Sequence, residues 1–148
     1  DKVIVMNNAV IAQEGSPKDL YNLPKNKFVA NFIGDANVVK AEIINKKSDI
    51  YELKLGEMSI NIESERDLKG SVSVALRPEK INISKEKNSN SILAKVNNAS
   101  FVGSNYQYIF NSTLGKLYVV SGDTNNVFKI NEEVCLTIDT EEIKILED

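Results

Sequence analysis

Along most of this chain, apolar and polar residues alternate with the period of two expected of strands that bury one face. The rhythm is plainest in Ser71-Val72-Ser73-Val74-Ala75-Leu76 and in Ile81-Asn82-Ile83. It predicts strands at Asn37–Ile44, Ile50–Leu55, Met58–Ile62, Ser71–Leu76 and Lys80–Ser84. A second series is expected at Ile92–Asn98, Tyr106–Phe110, Lys116–Ser121, Glu133–Ile138 and Ile143–Leu146. Lys85–Ser91 between them is polar and loop-like, a tip or a link between two units.

Before residue 35 the pattern differs. Val3-Ile4-Val5-Met6 is an apolar run of strand length, and Asn7-Asn8 can take the positive φ values of a two-residue hairpin turn. Val10 and Ile11 open the return strand. Ser16-Pro17-Lys18-Asp19 predicts a helix start: Ser caps, Pro takes the first helical position, and an acid sits at the positive dipole end. Pro24 limits that helix by pushing Leu23 towards extended geometry. Phe28, Val29, Phe32 and Ile33 form one stripe of a second short helix, with Gly34 as its stop. The stripe is expected to be buried against the strands that follow or against a second chain.

The two series of strands repeat each other. Val72, Val74, Leu76, Glu79, Ile81 and Ile83 recur as Val134, Leu136, Ile138, Glu141, Ile143 and Ile145, each 62 positions later. Leu55-Gly56-x-Met58-x-Ile60 matches Leu114-Gly115-x-Leu117-x-Val119, 59 later; Tyr51 matches Tyr106, 55 later; Ala41 matches Ala94, 53 later. An ordered series of this kind points to duplication. Two five-stranded units of this size suit small closed or partly open barrels of the OB type, which leave few exposed edges. The expected fold is therefore mainly β: tandem OB-like barrels preceded by a hairpin and two short helices.

Composition narrows the functions available. The chain has 148 residues, room for one domain or two small ones, and 42% hydrophobic residues, ordinary for a globular protein. A net charge of −3 leaves no basic stripe to neutralise phosphates, so no nucleic acid is expected as a partner. No apolar run approaches the roughly 20 residues of a membrane span. The single Cys135 permits no intramolecular disulfide. There is no His, which removes Ser-His-Asp and Cys-His catalysis and His-based metal sites together. No Gly-x-x-x-x-Gly-Lys-[Ser/Thr] phosphate loop occurs either, so no catalysis, cofactor or metal is expected in this stretch.

Several motifs carry a resemblance. Asp1-Lys2-Val3-Ile4-Val5-Met6, then Gly15-Ser16-Pro17-Lys18-Asp19-Leu20-Tyr21 and Pro24-Lys25-Asn26-Lys27-Phe28-Val29-Ala30-Asn31-Phe32-Ile33-Gly34, resemble the segment that closes the nucleotide-binding domain in ABC importer ATPases of the iron, polyamine and sugar type. Leu76-Arg77-Pro78-Glu79-Lys80-Ile81 and Phe101-Val102-Gly103-Ser104-Asn105-Tyr106 resemble marks of the OB-like (MOP-like) regulatory region that follows in that family. Two positions depart from it: Ala9 stands where the family usually has Gly, and Asn131 replaces the Gly of a Gly-x-x-Val element.

The resemblance implies a division into 1–34, the tail of a nucleotide-binding domain, and 35–148, a regulatory domain with repeats at about 35–84 and 92–148. It implies a parent that uses ATP and Mg, works on the cytoplasmic face of a membrane permease and carries iron(III) or polyamine. It implies partners in the parent's own nucleotide-binding domain and in a second copy, as a homodimer through the regulatory domain. A stand-alone OB-like domain that binds an oxyanion or another small molecule is the rival reading.

Candidate interface residues are Arg77, Glu79, Phe101 and Gly103. Arg77 and Glu79 sit where a strand ends, with Pro78 fixing φ between them. Their roles are a contact at a domain or subunit interface, or a local ion pair at a solvated turn. Tyr106 and Tyr108 share a strand face, as a stacking surface or as barrel packing. Cys135 faces opposite to Val134 and Leu136, with no base or cation beside it in sequence. Glu132, Glu133, Asp139, Glu141 and Glu142 read as solvated surface.

Overall fold

The computed structural model describes residues 1–147. It opens with a two-stranded antiparallel hairpin, β1 (Val3–Asn7) and β2 (Val10–Gly15). Asn8 and Ala9 make its turn, both at positive φ (51° and 64°), the backbone that strand twist demands of a two-residue hairpin. Helix α1 (Pro17–Asn22) starts as expected: the Ser16 side chain accepts from the Asp19 N–H, and Pro17 occupies the first turn. Asn26 caps α2 (Lys27–Phe32) by accepting from the Val29 N–H. Gln13 then ties the hairpin to the interhelical loop, donating to the Leu23 carbonyl (2.9 Å) and accepting from the Lys25 N–H (2.8 Å).

The stripe expected on α2 is buried only in part. Val29 packs with Val5 and Leu20 in a small core of the hairpin and helices, and Phe28 and Ile33 lie at its edge. Phe32 is instead 64% exposed and stacks on Phe28. The residue that meets the strands is Ala30, which packs on Ala75 and Leu146. A six-residue helix that turns one side to the hairpin and another to the sheet leaves a third side in water, and Phe32 lies there.

Among the described residues, ten strands and two 3-10 turns follow. The strands are β3 (Asn37–Lys47), β4 (Ile50–Leu55), β5 (Met58–Glu63), β6 (Ser71–Leu76), β7 (Asn82–Ser84), β8 (Ile92–Phe101), β9 (Tyr106–Ser112), β10 (Gly115–Ser121), β11 (Glu133–Thr137) and β12 (Ile143–Ile145). They form two five-stranded antiparallel sheets of matching order, β5-β4-β3-β6-β12 and β10-β9-β8-β11-β7. Each repeat therefore lends its last strand to the other: β7 pairs with β11, and β12 with β6. One hydrophobic core fills the space between the sheets, drawing on Tyr51, Leu53 and Val74 from the first and on Tyr108, Phe110 and Leu136 from the second.

The backbone repeats in detail. β3 and β8 bulge at matching places, before Asn45 and before Asn98, 53 residues apart. Ile43 N–H donates to the Gly70 carbonyl, as Val96 N–H does to Glu132. Asn131 holds φ 69° without a glycine, as Asn tolerates best among residues with a side chain. Sheet register corrects one sequence match. Ile43 faces Leu53 and Val96 faces Phe110, so the counterpart of Tyr51 is Tyr108, not Tyr106. Hydroxyl bonding agrees: the Leu68 N–H donates to the Tyr51 phenol and the Phe128 N–H to the Tyr108 phenol. A slip of two residues preserves alternation, so the pattern alone cannot detect it.

Asparagines fasten the free sheet edges. At the start of β3, Asn37 donates to the Tyr118 carbonyl (2.7 Å) and accepts from the Tyr118 N–H (2.8 Å). Asn90, 53 residues later, makes the same two bonds to Ser59 on β5 (2.9 and 2.7 Å). Each amide stands in for the missing neighbour of an edge strand.

Candidate functional site: the joint between helices and barrel

β6 ends in the run Val74-Ala75-Leu76-Arg77-Pro78, and its only charged side chain is buried, with Arg77 6% exposed. Pro78 opens a 3-10 turn (Pro78–Lys80) that stops the strand and aims Arg77 back at the helices. Its Nη1 donates to the carbonyls of Ala30 (2.9 Å), Asp35 (2.9 Å) and Gly34 (3.2 Å). Its Nη2 donates to the Tyr21 carbonyl (2.9 Å), and the guanidinium lies 4.2 Å above the Tyr21 ring.

The acceptors explain the arrangement. The last carbonyls of a helix have no partner within it and carry its negative end. Neither α1 nor α2 has a basic residue in its last turn. Arg77 supplies one cation to both ends from a strand 42 to 56 residues further on. Burial pushes its pKa down, and the charge of Asp35 draws it back up. A guanidinium keeps its proton there, and its planar fork can serve several carbonyls at once, which a Lys ammonium cannot match. The joint is closed further by the Glu147 N–H, which donates to the Lys25 carbonyl at 2.9 Å.

Glu79 is exposed on the 3-10 turn. Its charge, after burial and the charge of Asp35, helps to raise the pKa of the Tyr118 phenol. Phe101 and Gly103 lie elsewhere, at the tip of the β8–β9 hairpin. Phe101 is 58% exposed with its ring 5.1 Å from that of Tyr106, and Gly103 makes the turn at φ 93°. Among the described residues, no hydrogen bond or ring contact joins this tip to Arg77 or Glu79. The four candidates thus fall at two places. Tyr106 and Tyr108 do share a face, their rings stacked at 5.8 Å, and Tyr108 continues into the core against Phe110 and Phe128. Tyr21 and Asp35 belong to the joint and carry no sequence signal, since the groups that Arg77 bonds are their backbone carbonyls.

No group of three His, Cys, Asp or Glu able to hold a metal occurs among the described residues. The acidic stretch is split between surfaces, with Glu132 held by Lys85 at 3.1 Å. No helix among the described residues is long and apolar enough to cross a membrane. Nothing at the joint resembles a nucleophile paired with a base; what it can do is hold two bodies in fixed orientation.

Comparison with known proteins places the chain in a family. Residues 74–146 match the TOBE domain. The Fe(3+) ions import ATP-binding protein FbpC of Agrobacterium fabrum is 29% identical over 147 residues, 99% of this chain and 41% of that protein. The spermidine/putrescine import ATP-binding protein PotA of Acetivibrio thermocellus is 34% identical over 146 residues, 99% of this chain and 40% of that protein. The chain thus spans about two fifths of the length of the curated relatives it matches. Among solved structures, the cytoplasmic molybdate-binding protein ModG superposes with a TM-score of 0.58 at 11% identity, over 72% of this chain and 92% of that one. At that identity the likeness shows a shared OB-like fold and nothing further.

Proposed function

Since the chain carries a TOBE domain and is related over its length to the ATP-binding proteins of ABC importers, we propose that it is the regulatory end of such a subunit, holding two ATPase subunits together as a homodimer. In this reading residues 1–34 close the nucleotide-binding domain and residues 35–148 form the regulatory domain. The parent hydrolyses ATP with Mg at the cytoplasmic face of a permease, and its cargo is iron(III) or polyamine. This stretch does no chemistry of its own.

The observation that carries the proposal is the Arg77 clamp. A regulatory domain on a loose linker could not pass on the position of the motor; one fastened by four charge-assisted bonds can. The hairpin supports the same reading. Ile4, Met6 and Ile11 are each at least half exposed on a two-stranded sheet, a structure marginal by itself in water. The remainder of a nucleotide-binding domain would cover them. The rival oxyanion reading lacks arginines: Arg77 is committed to carbonyls, and Arg66 donates to the Leu146 carbonyl.

Mass measurement by light scattering at on the order of 100 μM tests the pairing. A dimer of the 16.4 kDa chain is expected, dissociated by Phe101→Asp on the barrel and unaffected by Met6→Asp on the hairpin. A monomer throughout, or a dimer sensitive only to Met6→Asp, counts against the proposal.

A further inference from the structure

On the outer face of the second sheet lies a groove of about 660 Å³, within the range of small-molecule sites. Its floor is the cross-strand pair Leu93 and Cys135, one from each of the two strands at the middle of the sheet. Cys135 is buried although its side chain points away from the core, and Leu93 is half exposed. One lip is the loop after β7, carrying Lys85 and Lys87; Lys95 and Asn111 lie further along β8 and β9. The other lip is the β4–β5 turn. There Gly56, at φ 58°, approaches so closely that a Cβ would stand 2.7 Å from the Thr113 hydroxyl. The neighbouring Glu57 carboxylate is bound by that hydroxyl (2.9 Å) and by the Leu93 N–H (3.4 Å).

The duplicated backbone supplies an internal control. A groove of about 560 Å³ lies over the first sheet, and the pair matching Leu93 and Cys135 is Lys40 and Ser73, which face each other across β3 and β6. The fold is therefore content with polar residues at these outward positions, and the half-exposed Leu93 is not one that the backbone requires. The cations differ as well. Among the described residues, Lys87 and Lys95 have no carboxylate within 4.0 Å, whereas Lys85 is held by Glu132 and Glu57 is already occupied. Glu133, the one remaining acid on the wall, is the cross-strand neighbour of Lys95 but makes no ion pair with it within 4.0 Å. An apolar floor with two uncommitted ammonium groups at its rim is complementary to a molecule with an apolar body and an anionic end.

We propose that the groove floored by Leu93 and Cys135 binds a small amphipathic organic carboxylate, its hydrocarbon on the floor and its carboxylate between Lys87 and Lys95. The proposal is independent of the pairing role, since the groove is lined by none of the four interface candidates Arg77, Glu79, Phe101 and Gly103. Hexanoate is the probe, titrated into the whole chain and followed by the methyl resonances of Leu93 and by the backbone amides of Leu93 and Cys135, which survive in each variant. Saturable shifts with a dissociation constant below about 1 mM are expected. Affinity should fall at least about tenfold in Leu93→Lys, which installs the residue of the first repeat, and in Lys87→Glu. Hexylammonium should leave these resonances unmoved. Absence of saturable shifts, equal binding of hexylammonium, or indifference to both substitutions overturns the proposal.

Discussion

Arg77-Pro78-Glu79-Lys80-Ile81 and Asp139-Thr140-Glu141-Glu142-Ile143 are two versions of one corner. Each leaves a strand through a residue with nearly the same backbone, φ −71° and ψ 132° at Arg77 against φ −65° and ψ 140° at Asp139. Each closes a 3-10 turn with the same bond, Lys80 N–H to Arg77 carbonyl at 3.0 Å and Glu142 N–H to Asp139 carbonyl at 2.9 Å. The side chains at the head of each corner have nothing in common. Arg77 is buried among the carbonyls of two helices, whereas Asp139 is exposed. The corner as a fold element needs only its backbone. The residue at its head is set by what docks there, and among the described residues the helices dock at the first corner and not at the second.

The largest effect should come from reversing that difference. Arg77→Ala leaves the carbonyls of Tyr21, Ala30, Gly34 and Asp35 without their donor at a part-buried joint. The expected cost is about 3 kcal/mol, read as a lowered urea midpoint. Asp139→Ala should shift the midpoint by less than about 0.5 kcal/mol. Amide exchange separates the joint from the fold: in Arg77→Ala, protection should fall in α1 and α2 and persist in β8 and β9. Equal costs at the two corners would show that Arg77 stabilises the turn and not the joint.

The asparagine clasps give a finer version of the same comparison. Asn37 and Asn90 make matching pairs of bonds to an edge strand, but Asn37 is buried and Asn90 exposed. Water can replace a lost bond at Asn90 and not at Asn37. Asn37→Ala should therefore cost about 2 kcal/mol and Asn90→Ala less than about 1 kcal/mol, by urea unfolding. Indistinguishable costs would mean that burial does not separate the two clasps.

How far the sequence could be read follows from where its information is local. The hairpin and α1 were legible because Ser16, Pro17 and Asp19 act within a turn of one another. Arg77 was legible as a place, a lone charge in an apolar run before Pro78, but its partners were not. They are backbone carbonyls 42 to 56 residues upstream, and a carbonyl leaves no residue type to recognise. The exchange of β7 and β12 was hidden for a related reason: alternation says that a strand has a wet and a dry face, not which sheet it joins. The groove over Leu93 was missed because Leu93 and Cys135 interrupt the polar face of two separate strands, and only their pairing makes the two one patch. Phe32 was misplaced because its spacing matched the stripe while the small Ala30 made the contact.

The smallest expected difference lies between the two core tyrosines. Tyr51 donates to the Arg66 carbonyl at 2.8 Å and accepts from the Leu68 N–H at 3.1 Å; Tyr108 accepts from the Phe128 N–H at 3.3 Å. Removing each hydroxyl leaves a buried N–H unpaired, and in the first repeat a carbonyl as well. Tyr51→Phe should cost about 1.5 kcal/mol and Tyr108→Phe about 1 kcal/mol. An alkaline titration adds a sign to the second. Burial raises the Tyr108 pKa, so the unfolded chain loses this proton first. The phenol's contribution is complete below the unfolded value, about 10, and is lost as pH rises through the higher folded one. Stability of the unsubstituted protein should therefore fall above about pH 10 more steeply than that of Tyr108→Phe. Tyr118, whose pKa is raised in the same direction, titrates in both proteins and cancels from the difference. Parallel alkaline slopes would mean that the Tyr108 phenol ionises as freely in the folded barrel as in the open chain, the bond it accepts from the Phe128 N–H, which favours the phenolate, then offsetting the cost of burial.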